Sequence, residues 1–190
     1  VRPTKLYHNY RKAGKTDAEI AAILKEDFRI SDQKIALMKA IVERQLLIIP
    51  DLDELGREIS IYIGVPFCPT MCAYCTFPAY AIQSNRKAGR VDKFIDGLHI
   101  ELQEMGKWLT KKNMRITSIY WGGGTPTSIE AHEMDALYKT MFDAFPNPES
   151  IREITVEAGR PDTITPEKIE VLKKWGIDRI SVNPQSYTQE

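Results

Sequence analysis

The chain has 190 residues, 26 basic and 26 acidic side chains and a formal net charge of zero, with 43% hydrophobic and 27% charged positions. This composition excludes a disordered chain and a collagen-like fibre, and the balanced charge leaves no footprint for nucleic acid or an anionic membrane. The longest purely apolar run, Leu46-Leu47-Ile48-Ile49, is far too short to span a bilayer.

The first part of the chain reads as helical. Thr16-Asp17-Ala18-Glu19 has capping-box spacing, and Ile20, Ile23, Leu24 and Phe28 follow at helical intervals. Ser31 is a second N-cap, with Ile35, Met38, Ile41, Val42 and Leu46 behind it as an apolar stripe. Pro50 and the acidic stretch that follows close this part, so residues 1–54 form a short helical hairpin that leads into a larger domain. Its stripe is read as core packing.

From residue 55 the pattern alternates strand and helix. The spacing predicts a strand over 59–65, a mobile polar loop over 83–90 and a helix over 91–110. A second strand over 116–121 is broken by three glycines, and a helix over 129–145 is stopped by Pro146 and Pro148. A third strand covers 151–156. A helix over 166–175 has Pro166 in its first turn and Gly176 at its C-terminal cap, and a fourth strand covers 179–182. Repeated βαβ units require a parallel sheet with helices outside, and in such sheets active groups collect at the strands' C-terminal ends.

Those ends carry chemistry here. Strand one runs into Cys68, Cys72 and Cys75, the chain's three cysteines. An odd, crowded set is a poor disulfide framework and a good metal-ligand set. Three thiolates on one loop can bind three irons of a cubane cluster and leave the fourth iron open. Structural zinc, which wants a fourth ligand, and a reactive or buried thiol are the alternatives; His8, His99 and His132 are scattered. Strand two ends in Gly122-Gly123-Gly124-Thr125-Pro126, which lets backbone approach a ligand closely and is not a phosphate loop. Strand three ends in Glu157-Ala158-Gly159-Arg160 and strand four in Asn183-Pro184-Gln185-Ser186, placing a carboxylate and an amide toward the same pocket.

Cys68-x3-Cys72-x2-Cys75, with Tyr74 before the last cysteine, resembles the radical S-adenosylmethionine signature, and 122–126 supports it. Tyr62-Ile-Gly-Val-Pro-Phe-Cys-Pro-Thr, Ile119-Tyr-Trp-Gly-Gly-Gly-Thr-Pro-Thr and Ile154-Thr-Val-Glu resemble the oxygen-independent coproporphyrinogen III oxidase family. Arg2-Pro-Thr-Lys, Thr155-Val-Glu-Ala-Gly-Arg-Pro-Asp and Ile180-Ser-Val-Asn-Pro-Gln are similar to its coproporphyrinogen dehydrogenase HemZ branch. The resemblance implies an α/β fold, an incomplete parallel (β/α) barrel preceded by the helical lead-in. The family's barrel has about six βα units, and this chain supplies about four, so the chain is expected to be a fragment with an open edge at its fourth strand.

The resemblance also implies a division of labour. Cys68, Cys72 and Cys75 would ligate a [4Fe–4S] cluster whose open iron chelates S-adenosylmethionine. Tyr62 and Tyr74 would lie near that cofactor, Tyr74 against the adenine. Gly123, Gly124 and Thr125 would meet the methionine amino group, and Glu157 and Gln185 would hold the ribose and amino-acid end. The expected reaction converts coproporphyrinogen III to protoporphyrinogen IX through a 5′-deoxyadenosyl radical. An electron donor such as flavodoxin or ferredoxin would serve it, in a reducing cytoplasm. The oxidase pattern has a fourth cysteine two positions after the third; this chain has Phe77 there, and relatives that resemble haem chaperones lack that cysteine too. Arg86, Arg90 and Arg160 are candidates to clamp propionates, because arginine matches carboxylates bidentately. A haem carrier, with His8 or His132 as axial ligand, and a non-catalytic metal-binding module are the competing functions.

Overall fold

The computed structural model describes residues 3–53 and 56–185, so Arg2 and Ser186 of the motifs above, and Glu54 at the end of the acidic stretch, lie outside the described residues. The chain divides into two compact units, Val1–Gly56 and Arg57–Glu190.

The first unit is three helices where the stripe predicted a hairpin of two: α1 (Pro3–Lys12), α2 (Asp17–Glu26) and α3 (Asp32–Ile48). The expectation missed α1 because His8 and Asn9 interrupt its short apolar face, which nevertheless buries Tyr7 with Ile20, Leu24, Ile35, Met38 and Val42. The capping box is formed. Thr16 Oγ1 accepts the Glu19 N–H at 3.3 Å, and Glu19 Oε2 accepts the Thr16 N–H at 2.7 Å. Ser31 occupies the N-cap of α3 without a side-chain cap bond. Tyr7 donates to Asp17 Oδ1 at 2.8 Å, tying α1 to α2, and its phenol is pushed up by burial first and by that bond second.

The second unit runs β1 (Glu58–Val65), β2 (Phe67–Cys68), β3 (Tyr80–Ala81), α4 (Ile82–Lys87), α5 (Arg90–Lys112), β4 (Arg115–Gly123), α6 (Ala131–Ala144), β5 (Glu153–Glu157), α7 (Pro166–Lys174) and β6 (Arg179–Ser181). The main sheet has the order β1-β4-β5-β6, every pair parallel, so each crossover adds its strand on the same side. All four C-terminal ends therefore lie along one edge. Ile63, Val65, Ile119, Trp121, Ile154 and Val156 face the helices and form one core with Leu98, Leu102, Leu137, Tyr138 and Leu172.

Three local expectations change. The stretch 83–90 contains helix α4, capped beyond its end by Gly89 at φ 63°, so its polarity reflects exposure and not an absence of structure. The glycines do not break β4: Gly122 and Gly123 remain paired with Gly64 and Val65. The expected helical start at 129 is preceded by a 3-10 turn over Pro126–Ser128. Gly176 does cap α7. At φ 64° it lets Ile177 donate to Leu172 O at 3.0 Å and Gly176 itself to Lys173 O at 3.0 Å. Among the described residues no helix is long and apolar enough to cross a membrane.

Candidate functional site

Strand register decides which residues share the face away from the helices. Tyr62 pairs with Tyr120, Gly64 with Gly122, Tyr120 with Thr155 and Glu157 with Ser181. Because side chains alternate along a strand, Tyr62, Tyr120, Gly122, Thr155 and Glu157 occupy that one face. The rings of Tyr62 and Tyr120 stack 5.9 Å apart with planes 13° from parallel. The Tyr120 hydroxyl donates to Glu157 Oε1 at 2.6 Å. That bond, followed by burial, pushes the Tyr120 phenol up to about 12. Burial and then the Glu157 charge raise the Tyr62 phenol as well.

Gly122 makes this cluster sterically possible. A Cβ there would stand 2.9 Å from Glu157 Oε2 and 3.0 Å from both the Tyr120 ring and the Tyr62 hydroxyl. The sequence does not single out Tyr120 as a site residue, and it marks Gly122 only as part of the glycine run. The period-2 alternation of 119–122 carried the signal, since it sets Tyr120 and Gly122 opposite the buried Ile119 and Trp121.

The cysteines sit on a loop held at its neck by a clasp. The two-residue strands β2 and β3 pair Phe67 with Tyr80 and Cys68 with Ala81. Between them hang Cys72, Tyr74, Cys75 and Phe77. All three cysteines are free thiols, Cys68 and Cys72 half-buried and Cys75 exposed. The glycine run docks the end of β4 on this clasp. Gly124 N–H donates to Val65 O and Thr125 N–H to Phe67 O, both at 2.8 Å. Gly123, at φ 108°, would place a Cβ 2.8 Å from Val65 O, and Gly124 would place one 2.6 Å from Phe67 O and 3.0 Å from Cys68 Sγ. Thr125 is 2% exposed, and its hydroxyl lies 3.4 Å from Cys68 Sγ. The Gly124 and Thr125 N–H groups are thus committed within the chain, and the acceptors these two residues carry are their carbonyls and the Thr125 hydroxyl.

The ends of β5 and β6 reach the same loop. Gln185, at φ 65°, donates from Nε2 to Gly159 O at 2.5 Å and accepts the Tyr74 hydroxyl on Oε1, with Cys72 Sγ 4.0 Å from that oxygen. Arg160 donates from Nη1 to Thr70 Oγ1 at 3.0 Å and to Cys72 Sγ at 3.7 Å. The structure thus links Cys72, Tyr74 and Gln185 in one chain of contacts and pairs Cys68 with Thr125, while Tyr62 and Glu157 gather around Tyr120.

Of the three arginines considered for carboxylate clamping, two have their forks filled. Arg86 binds Glu133 bidentately at 2.7 and 2.8 Å, and Arg160 binds Asp162 through Nε and Nη2 at 3.1 and 3.0 Å. Arg90 makes one bond, to Asn85 Oδ1 at 3.3 Å. Of the histidines, His8 Nε2 meets Gln45 Oε1 at 2.9 Å, His99 Nδ1 meets Thr140 Oγ1 at 2.7 Å, and His132 is exposed on α6.

The donor set can be tested against metal chemistry. Among the described residues no group of three His, Cys, Asp or Glu side chains is gathered to hold a single metal ion. A cubane cluster takes one thiolate on each of three irons, and three free thiols on one clasped loop supply that donor set. A structural zinc site needs a fourth ligand.

The radical SAM superfamily profile matches residues 62–190. The chain is 59% identical over all 190 residues to the oxygen-independent coproporphyrinogen-III oxidase-like protein HemZ of Bacillus subtilis, and covers 38% of that protein. It is 33% identical to the heme chaperone HemW of Bacillus subtilis over 132 residues, which is 69% of this chain and 33% of HemW. The solved structure of coproporphyrinogen III oxidase (HemN) from Escherichia coli, described as a radical SAM enzyme, matches with a TM-score of 0.59 at 24% identity, covering 76% of this chain and 32% of that one. The chain therefore spans about a third of the length of each of these proteins.

Proposed function

Because the chain belongs to the radical SAM superfamily, we propose that it forms the cofactor-holding part of a radical S-adenosylmethionine oxidoreductase of tetrapyrrole metabolism. The proposed reaction is oxidative decarboxylation of coproporphyrinogen III to protoporphyrinogen IX: a flavodoxin or ferredoxin supplies the electron that cleaves S-adenosylmethionine, and each reacting propionate gives a hydrogen atom to the 5′-deoxyadenosyl radical, releases carbon dioxide and passes one electron to an acceptor. The observation that carries this reading is the clasped loop of three free thiols at the sheet edge where β4, β5 and β6 also deliver Thr125, Glu157 and Gln185.

In this reading Cys68, Cys72 and Cys75 hold a [4Fe–4S] cluster and leave one iron open. The chemistry that the cluster and S-adenosylmethionine supply together is one-electron cleavage of the sulfonium, which gives a 5′-deoxyadenosyl radical. The chain's own residues orient and shield. The Gly124 carbonyl and the Thr125 hydroxyl accept from the methionine ammonium. Glu157 has one carboxylate oxygen fixed by Tyr120 and offers the other to the ribose hydroxyls. Tyr74 lies against the adenine, and Gln185, already bonded to Tyr74, holds that aromatic in place. Tyr62, stacked on Tyr120, closes the same side.

The test uses anaerobic, reconstituted protein with coproporphyrinogen III, S-adenosylmethionine and a reductant. Release of carbon dioxide and 5′-deoxyadenosine together supports the oxidase reading. A second reading, a haem carrier on the same scaffold, is favoured by Phe77 at the fourth-cysteine position and by the likeness to HemW. Stoichiometric haem binding with no decarboxylation selects it.

A further inference from the structure

Arg160 is a charge that the fold delivers to the cysteine loop with little freedom. Its backbone is pinned where β5 gives way to a 3-10 turn: Arg160 O accepts the Thr163 N–H at 3.0 Å and the Thr163 hydroxyl at 2.7 Å. Its guanidinium is pinned from the other side, with Nε on Asp162 Oδ1 at 3.1 Å and Nη2 on Asp162 Oδ2 at 3.0 Å. What remains points at the loop. Nη1 donates to Thr70 Oγ1 at 3.0 Å and to Cys72 Sγ at 3.7 Å, and the side chain is only 18% exposed. Four of the five guanidinium N–H groups are thereby used, and the edge that recognises carboxylates is the one already filled. Clamping a substrate propionate is not what this arginine is built for.

We propose that Arg160 is a positioning residue that sets the reduction potential of the cluster held by Cys68, Cys72 and Cys75, through its donation to the Cys72 sulfur. The inference rests on the cluster reading above and deepens it. Iron–sulfur potentials follow net charge, hydrogen bonds to sulfur and solvent exposure. Reduction adds negative charge to a centre that three thiolates already make electron-rich. A guanidinium on one sulfur stabilises the reduced state more than the oxidised one and raises the potential. Asp162 offsets part of this, because it neutralises the far edge of the same guanidinium.

The test is a redox titration of the reconstituted full chain followed by electron paramagnetic resonance, which reads the cluster and not turnover. Arg160→Gln keeps a polar group and removes the charge. It is expected to disfavour reduction about tenfold, a fall of about 59 mV for a one-electron couple. Arg160→Lys restores most of the loss, because the charge returns without the fork. A wild-type potential in Arg160→Gln overturns the inference, and so does a lysine variant as low as the glutamine one. Should Arg160→Gln fail to hold iron, Asp162→Asn carries the test: removal of the neutralising anion raises the potential, and an unmoved or lowered value overturns the inference. A wild-type chain that takes up no cluster contradicts the functional reading itself and removes this inference with it.

Discussion

Alanine at Gly124 tests the contact on which the cysteine loop depends. Gly124 does not have a left-handed φ, so the substitution carries no backbone strain and its cost is contact alone. The new Cβ would sit 2.6 Å from Phe67 O, 2.9 Å from Phe67 C and 3.0 Å from Cys68 Sγ. Two of these atoms are backbone. The N–H groups of Gly124 and Thr125 grip Val65 and Phe67 at 2.8 Å, so separating the segments stretches a hydrogen bond on either side. Overpacking costs about 1–3 kcal/mol and a lost hydrogen bond about 1 more, which sets the expectation at about 2–4 kcal/mol. With a urea slope of about 2 kcal/mol per molar, the midpoint falls by about 1–2 M. Trp108, Trp121 and Trp175 all lie in the second unit, so intrinsic fluorescence reports that unit alone. Iron uptake falls in parallel, because the displacement lands on Cys68. Gly97→Ala in α5 is the control: nothing lies within 4 Å of its added Cβ, and the helix gains up to about 1 kcal/mol. A Gly124→Ala protein with wild-type midpoint and iron content refutes the reasoning.

Gly106→Ala, nine residues along the same helix as Gly97, has the opposite sign. Its Cβ would stand 2.2 Å from Ala144 O, so α5 and α6 must part, and the overpacking cost of about 1–3 kcal/mol exceeds the gain in helix propensity; urea denaturation reads the difference. Tyr120→Phe removes the donor on Glu157 and is expected to weaken S-adenosylmethionine binding about tenfold in equilibrium dialysis, the effect of one hydrogen bond to a charged group. The same tyrosine sets an alkaline limit. Its folded pKa of about 12 lies above its ordinary value, so its contribution to stability is complete below about pH 10 and is lost as pH rises through about 12. Tyr120→Phe flattens that part of a denaturation-versus-pH curve. Asp135 accepts from Lys174 at 2.7 Å and from Trp175 Nε1 at 2.6 Å, and these bonds, Lys174 first, hold its carboxyl below the usual range. Its contribution is present above the ordinary carboxylate pKa and is lost as pH falls through the lowered one. Asp135→Ala loosens α7 from α6 by about 1 kcal/mol, measured by urea at neutral pH, since the lysine partner is exposed.

The sheet and its order of elements were legible because parallel strands and amphipathic helices announce themselves by period. The strands expected over 59–65 and 151–156 appear as Glu58–Val65 and Glu153–Glu157, and Gly176 caps the helix it was expected to cap. Elements shorter than one period were not legible. The pairs Phe67–Cys68 and Tyr80–Ala81 leave no periodic trace, yet they close the neck of the cysteine loop. Helix α4 hid behind exposed polar residues, and α1 behind a stripe one turn long. At the site, residue types pointed to Cys68, Glu157 and Gln185, but partnership depends on register. That is why Tyr120 is silent in the sequence although it holds Glu157, and why Arg160 stands there only as one candidate clamp among three although Asp162 fills its fork.

The proposed cluster, held by three thiols, leaves one iron open to S-adenosylmethionine. Electron paramagnetic resonance of the anaerobically reconstituted, reduced chain, recorded with and without S-adenosylmethionine, reads that iron. A [4Fe–4S] signal whose g-values shift on adding S-adenosylmethionine is the predicted result. A chain that binds one zinc in place of iron, or a cluster signal indifferent to S-adenosylmethionine, contradicts it.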